Sequence, residues 1–176
     1  MFEELDVKSL PDNVFKLLDN DWMLITAGKK DGFNTMTASW GTLGILWNKP
    51  VAIIFIRPHR HTFGFVENNT QFTLTFFAEQ HRKALQYCGR FSGRNVDKIK
   101  ETGLTPLILP SGNVAFEEAR LILECKKIYV DDLKSENFID KEIIHTIYPS
   151  KDFHRMFFGQ ITKCLILDEF RSGKHK

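Results

Sequence analysis

Trp22-Met-Leu-Ile-Thr-Ala-Gly28, the dipeptide Asp31-Gly32, and Phe33-Asn-Thr-Met-Thr-Ala-Ser-Trp40 follow one another without a break in pattern. The first run is apolar and of strand length. The dipeptide is a hairpin signal, because glycine tolerates the positive φ of a tight two-residue turn. The third run returns as the partner strand. Its alternate positions divide into Phe33, Thr35, Thr37 and Ser39 on one face and Asn34, Met36, Ala38 and Trp40 on the other. A strand face of small hydroxyls leaves space beside it for something flat.

Outward from this hairpin the chain continues in β fashion. Val51-Ala-Ile-Ile-Phe-Ile56 is an unbroken apolar run, the pattern of a strand buried on both faces, and it stops at Arg57-Pro58. Gln71-Phe-Thr-Leu-Thr-Phe-Phe77 alternates cleanly. Residues 117–130 and 157–167 read as further strands, with Gly159 as a candidate bulge. Short helices are expected at 12–18, 61–69, 78–87 and 96–101, the last stopped by Gly103. The run 142–148 is ambiguous. Residues 1–11 read as a lead-in, 41–50 as a glycine-punctuated loop, and Thr105-Pro106 and Pro110-Ser-Gly-Asn113 as loops. Hairpin-linked strands without a βαβ rhythm favour an antiparallel barrel of Greek-key type with short flanking helices. Such a barrel fills its interior with side chains, so a ligand belongs on its outside or at a subunit contact.

The totals fit a single domain over residues 1–176, with its core at about 21–167. Hydrophobic residues make up 43% of the chain, and sixteen phenylalanines suit a pleated, aromatic-rich core. Lys and Arg number 24 against 22 acids, a net charge of +2, which disfavours a nucleic-acid partner. The basic end Arg171-Ser-Gly-Lys-His-Lys176 reads as a solvated tail. Cys88, Cys125 and Cys164 are widely spaced, without metal spacing, and read as reduced thiols. No secretory leader and no apolar run of the roughly 18 residues needed to span a bilayer is visible, so a cytoplasmic protein is expected.

Three stretches carry chemistry. Arg57-Pro-His-Arg-His-Thr62 offers guanidinium groups at Arg57 and Arg60, histidines at 59 and 61, and the stiffening Pro58. Thr62 stands where a helix begins, so its hydroxyl and the next amides can face an anion. Read alone, the stretch is equally an exposed basic loop. In Asn34-Thr-Met-Thr-Ala-Ser-Trp40, Asn34 can match a pyrimidine-like edge, Thr37 and Ser39 offer hydroxyls, and Trp40 can lie along a heterocycle. Read alone, it is a self-satisfied barrel strand. Ser92-Gly93 with Lys98 combines a hydroxyl, a close-approach backbone and a point charge, or else an ordinary helix cap. No metal set, nucleotide glycine loop or hydrolase triad is present in the sequence.

Together and in order, these stretches resemble the flavin reductase-like, FMN-binding split-barrel family, and within it the flavoredoxin-like proteins. Supporting matches are Glu101-Thr-Gly-Leu104 and His154-Arg-Met-Phe-Phe-Gly-Gln160, and the resemblance spans about residues 21–166. It implies a split β-barrel homodimer with FMN held near the subunit contact. It places Asn34, Met36 and Thr37 along the isoalloxazine, with Ser39 and Trp40 toward the ribityl chain and phosphate and Ala38 among the cofactor contacts. Arg57, Pro58, His59, Arg60 and Thr62 would line the phosphate region, closed by Ser92, Gly93 and Lys98. Arg57 has a second possible setting, turned into the barrel. Arg90-Phe91 departs from the smaller or more polar residues of relatives.

The implied activity is that of an FMN-dependent oxidoreductase, an NAD(P)H:flavin reductase or flavoredoxin-like electron-transfer protein, with NADH or NADPH as donor. The chemistry would rest on the flavin; His154, implied near the ring face or a nicotinamide-binding cleft, is the one side chain with a possible catalytic part. The alternative is an FMN-binding carrier or sensor module, reduced by a partner protein and without nicotinamide activity of its own.

Overall fold

The computed structural model describes residues 1–171. The chain begins with strand β1 (Phe2–Glu4) and the single helical turn α1 (Val14–Lys16). Four strands follow: β2 (Met23–Lys29), β3 (Gly32–Ala38), β4 (Gly41–Leu46) and β5 (Lys49–Ile56). Helix α2 (His61–Asn68) leads to β6 (Gln71–Phe77), then α3 (Arg82–Arg90) and α4 (Lys98–Thr102). The small hairpin β7 (Pro106–Ile108) and β8 (Val114–Phe116) precedes the long β9 (Ala119–Asp132). Helix α5 (Glu142–Ile147) and β10 (Arg155–Leu167) complete the described elements.

The main sheet runs β3-β2-β6-β9-β10-β5-β4, with β1 added on β10 and every pairing antiparallel. Its two ends, β3 and β4, are joined only by Ser39 and Trp40. A flat sheet of seven strands separates its edges by about 29 Å. Three consecutive Cα–Cα steps reach only about 11 Å. The sheet therefore curls until its ends meet at Ser39-Trp40, leaving a split barrel rather than an open sheet. β5 reaches β6 by crossing from one half of this order to the other through α2, so the barrel is not a simple meander.

The inside is filled by Ile25, Met36, Ile54, Phe72, Leu123 and Phe157, among others. A second cluster lies where Leu24, Leu85, Phe116 and Ile122 pack together, joining the sheet to α3 and β8. Gly159 lies at a register shift in β10, as expected for a bulge. A Cβ there would come within 2.6 Å of the Phe72 ring and 2.8 Å of Cys125 Cβ.

Three local readings are corrected. Residues 41–50 are not a loop: they form β4 and the start of β5, turning at Trp47-Asn48 with φ of 52° and 56°. Positive φ at both turn positions is the twist-matched hairpin geometry that Asn, and here also Trp, supplies without glycine. Phe2–Glu4 is a strand on β10, and residues 106–116 form the β7–β8 hairpin, because each satisfies its backbone on a neighbour that local sequence cannot reveal. The apolar run at 142–148 resolves as α5. Beyond Arg171 the basic tail lies outside the described residues.

Candidate functional site

β3 presents its residues to two adjoining clefts. One, of about 140 Å³, is bordered by Asn34, Met36, Arg60, Thr62, Ser92-Gly93-Arg94 and Lys98. The other, of about 430 Å³, is bordered by Met36, Thr37, Ala38, Ser39, Trp40 and Phe55, with Arg57, His59, Arg60 and His154. Met36, His59 and Arg60 border both, so the two clefts form one groove along the strand. The three stretches singled out in the sequence thus converge; Pro58 belongs to the same loop but borders neither cleft.

The smaller cleft is cationic. Arg60, Arg90, Arg94 and Lys98 surround it, and none of the four forms an ion pair with a carboxylate among the described residues. What orients three of them is backbone. Lys98 Nζ donates to the carbonyls of Thr35 (2.7 Å) and Cys88 (2.8 Å), and Arg60 donates to Gly89 O at 2.9 Å. Cys88 and Gly89 lie in the last turn of α3, whose carbonyls have no partner within the helix and attract cations. Arg94 is held by the His59 carbonyl at 3.0 Å. A carbonyl positions a cation without cancelling its charge. Burial and the nearby Arg60 push the Lys98 ammonium down to about 8, with Cys88 acting the other way. His61 is lowered as well, by burial and then by Arg94 and Lys98.

Helix α2 starts at this cleft with no side-chain cap at Arg60. Asn34 organises the junction: its Nδ2 donates to Thr62 Oγ1 at 2.7 Å, inside the first turn of α2. Its Oδ1 stands against Gly93, where a Cβ would lie only 2.1 Å away. The close approach permitted by Gly93 is therefore toward Asn34. Ser92 Oγ accepts from the Arg94 amide. Asn34 sits at the cationic end of the groove, and Ser39 and Trp40 sit at the other, so β3 runs from the cations toward the aromatic end.

Beyond Arg60, which borders both clefts, that aromatic end is nearly neutral. Arg57 borders it but is answered by Asp152 at 2.7 Å and by the Ile147 carbonyl at 2.8 Å, with its guanidinium 5.2 Å from the centre of the Tyr148 ring. It turns toward α5 and the loop after it, not into the barrel. This pairing, first of all, holds the Asp152 carboxyl below its usual range. His59 Nδ1 lies 3.4 Å from the same carboxylate. His154 is buried, shares a 2.7 Å hydrogen bond between its Nδ1 and Tyr148 Oη, and packs 5.5 Å from the Trp40 ring. Burial, then the Arg57 charge, pushes its imidazole down to about 4, so it is neutral at pH 7. Thr37 donates to the Leu85 carbonyl, and Thr35 bonds Thr26 at 2.8 Å. Two hydroxyls of β3 are thus committed to the fold.

Sequence reasoning missed Arg90, Arg94, Phe55, Tyr148 and Asp152. Arg90 and Arg94 carried a signal, four apart around Ser92-Gly93 in a stretch otherwise poor in acids. Tyr148 and Asp152 carried none, because only the fold of α5 over the groove brings them to Arg57 and His154. Burial pushes the Cys88 thiol up to about 11, the state of an unreactive thiol.

The fold recurs in solved structures. An FMN-binding protein from Thermus thermophilus superposes with a TM-score of 0.65 at 20% identity, over 84% of this chain and 71% of that one. A flavoredoxin from Methanosarcina acetivorans gives 0.65 at 20% identity, over 85% and 70%. An NADH:FAD oxidoreductase from Streptomyces globisporus, solved with NAD and FAD fragments, gives 0.64 at 16% identity, over 84% and 74%. No curated protein matches the sequence significantly. The family model described as a flavin reductase like domain matches residues 17–173, which takes in every strand of the curled sheet but β1 and both ends of the groove; the chain belongs to the flavin reductase-like family.

Proposed function

We propose that the groove holds FMN and that the protein is an FMN-dependent oxidoreductase, an NAD(P)H:flavin reductase or flavoredoxin-like electron-transfer protein. The observation that carries this reading is the groove's polarity. Four cations without carboxylate partners gather at the uncapped start of α2, and an aromatic-lined, nearly neutral cleft continues from them. A phosphate suits the first, where charge-assisted donors and helix amides converge. A flat ring suits the second. The donor set therefore fits a flavin mononucleotide. Arg60, Arg94, Lys98 and Thr62 would hold its phosphate, and Met36, Ala38, Ser39, Trp40 and Phe55 would flank the rest.

Bound there, FMN would supply hydride acceptance and the return of electrons singly or in pairs. The chain's own task is positional. Asn34 keeps α2 and the Ser92-Gly93 turn in register. Trp40 and Phe55 limit water along the cleft. His154, uncharged and tied to Tyr148, offers a neutral polar edge at its aromatic end.

The homodimer expected from the family resemblance is retained as part of this proposal. Ile45, Trp47 and Tyr129 are exposed, and Trp47, in the β4–β5 turn, packs against Tyr129 of β9 and Phe158 of β10 in one aromatic cluster. Covering such a cluster is a usual outcome of self-association. The deciding experiment is titration of the apo protein with FMN, followed by anaerobic addition of NADH and of NADPH. Tight binding and bleaching support the full reading. Binding without bleaching assigns the carrier or sensor alternative, and absence of binding removes the proposal.

A further inference from the structure

A third cleft, of about 410 Å³, lies on the far flank of Trp40. It shares Ser39, Trp40, Phe55 and His154 with the aromatic end of the groove. Its own additions are chiefly apolar: Phe15, Leu18, Leu133 and Tyr148. Among the described residues its one acidic side chain is Asp19, and no Lys or Arg borders it. The nearest groove cation, Arg57, lies over the Tyr148 ring and is paired with Asp152.

Two of its walls are unusually open for their size. Phe15 is 84% exposed at the tip of α1, and Trp40 is 50% exposed. A lone exposed aromatic signifies little. Here two stand at one cleft, together with Phe55 of β5 and Tyr148. Its polar contacts are also neutral, the Tyr148–His154 hydrogen bond and Ser39. Aromatic walls favour stacked or edge-on rings. A carboxylate without a cation excludes phosphates and other anions.

We propose that this cleft is a binding subsite for a flat, uncharged aromatic molecule of one or two rings, seated against Phe15 and Trp40 and adjoining the groove across their shared residues. Its occupant would lie one side chain away from the groove. That it is the redox substrate rests on the FMN reading; that it binds there does not.

The probe is 2-naphthol, with 2-naphthyl phosphate as the anionic counterpart, titrated calorimetrically into the full chain with and without FMN. The expected result is saturable 2-naphthol binding in both forms and at least tenfold weaker binding of the phosphate. Phe15→Ser, a change at an exposed side chain, should weaken 2-naphthol at least fivefold and leave FMN affinity and elution volume unchanged. The subsite is overturned by no binding of 2-naphthol, by equal or better binding of the phosphate, or by an unaltered affinity in Phe15→Ser. It is also overturned if Phe15→Ser dissociates a dimer, since a second copy would then cover the cleft. FMN failure with retained 2-naphthol binding would sink the cofactor reading alone.

Discussion

Gly93 and Asn34 are packed so tightly that no side chain fits between them: a Cβ on Gly93 would lie 2.1 Å from Asn34 Oδ1. Asn34 cannot yield, because its other end is tied to Thr62 at 2.7 Å. Gly93→Ala should therefore push Asn34 off α2. The expected cost is about 1–3 kcal/mol of unfolding free energy, with a fall in FMN affinity that Ser92→Ala does not reproduce. Urea unfolding and fluorescence titration read the two effects, and an unchanged FMN affinity would deny Asn34 its organising role.

Arg60 and Arg57 stand near each other but in different electrostatic situations. Arg57 is paired with Asp152, whereas among the described residues Arg60 has no carboxylate partner and donates to the Gly89 carbonyl. Arg60→Gln keeps a donor for that carbonyl and removes the charge. It should weaken FMN by about 1.5–3 kcal/mol, the range for hydrogen bonds to charged groups, and flatten the salt dependence of binding. Arg57→Gln should act less on affinity and more on the order of the loop at Asp152. The reverse ranking would move the phosphate end to Arg57.

His154 links stability to pH. Its imidazole titrates near 4 in the folded protein, against an ordinary value of 6.5. Between those values the unfolded chain binds the extra proton, so stability rises with pH across the window and is lost as pH falls from 6.5 toward 4. The contribution is at most about 3–4 kcal/mol. His154→Gln should flatten the urea-unfolding curve against pH in that window only. A parallel, unflattened curve would show that the imidazole is freely protonated in the fold.

Gly159 marks where β10 passes the core. With Phe72 and Cys125 within 2.6 and 2.8 Å of an added Cβ, Gly159→Ala overpacks a rigid interior. A loss of about 1–3 kcal/mol is expected. Thermal unfolding checks it, and a neutral result would mean that the bulge opens readily.

The exposed aromatic cluster at the β4–β5 turn, β9 and β10 tests self-association. Ile45 is 62% exposed, so Ile45→Lys costs the monomer little. Sedimentation velocity should show a dimer for the parent chain and a monomer for the variant. Parent protein that sediments as a monomer would remove the homodimer from the proposal.

Local sequence determined a good deal. An apolar run marked β2 and alternation marked β3 and β6, and Gly103 and Gly159 marked a helix end and a bulge, because each depends on neighbours in the chain. Asp31-Gly32 marked the β2–β3 hairpin but not its geometry: the turn lies at Lys30-Asp31, Gly32 pairs with Lys29 in the strand, and the positive φ falls at Gly28. The basic loop, the hydroxyl-bearing strand and Ser92-Gly93 were visible as site candidates for the same reason. Three matters were decided only by tertiary structure. Whether a cation is free or spoken for depends on partners distant in sequence: Arg57 meets Asp152, while Lys98 meets Thr35 and Cys88. The polarity of β3 depends on which end α2 and the 92–98 turn pack against. The curling of the sheet depends on Ser39 and Trp40 joining strands from opposite ends of its order. Chain geometry allows two residues no other solution, yet nothing in Ser-Trp itself states which strands they join.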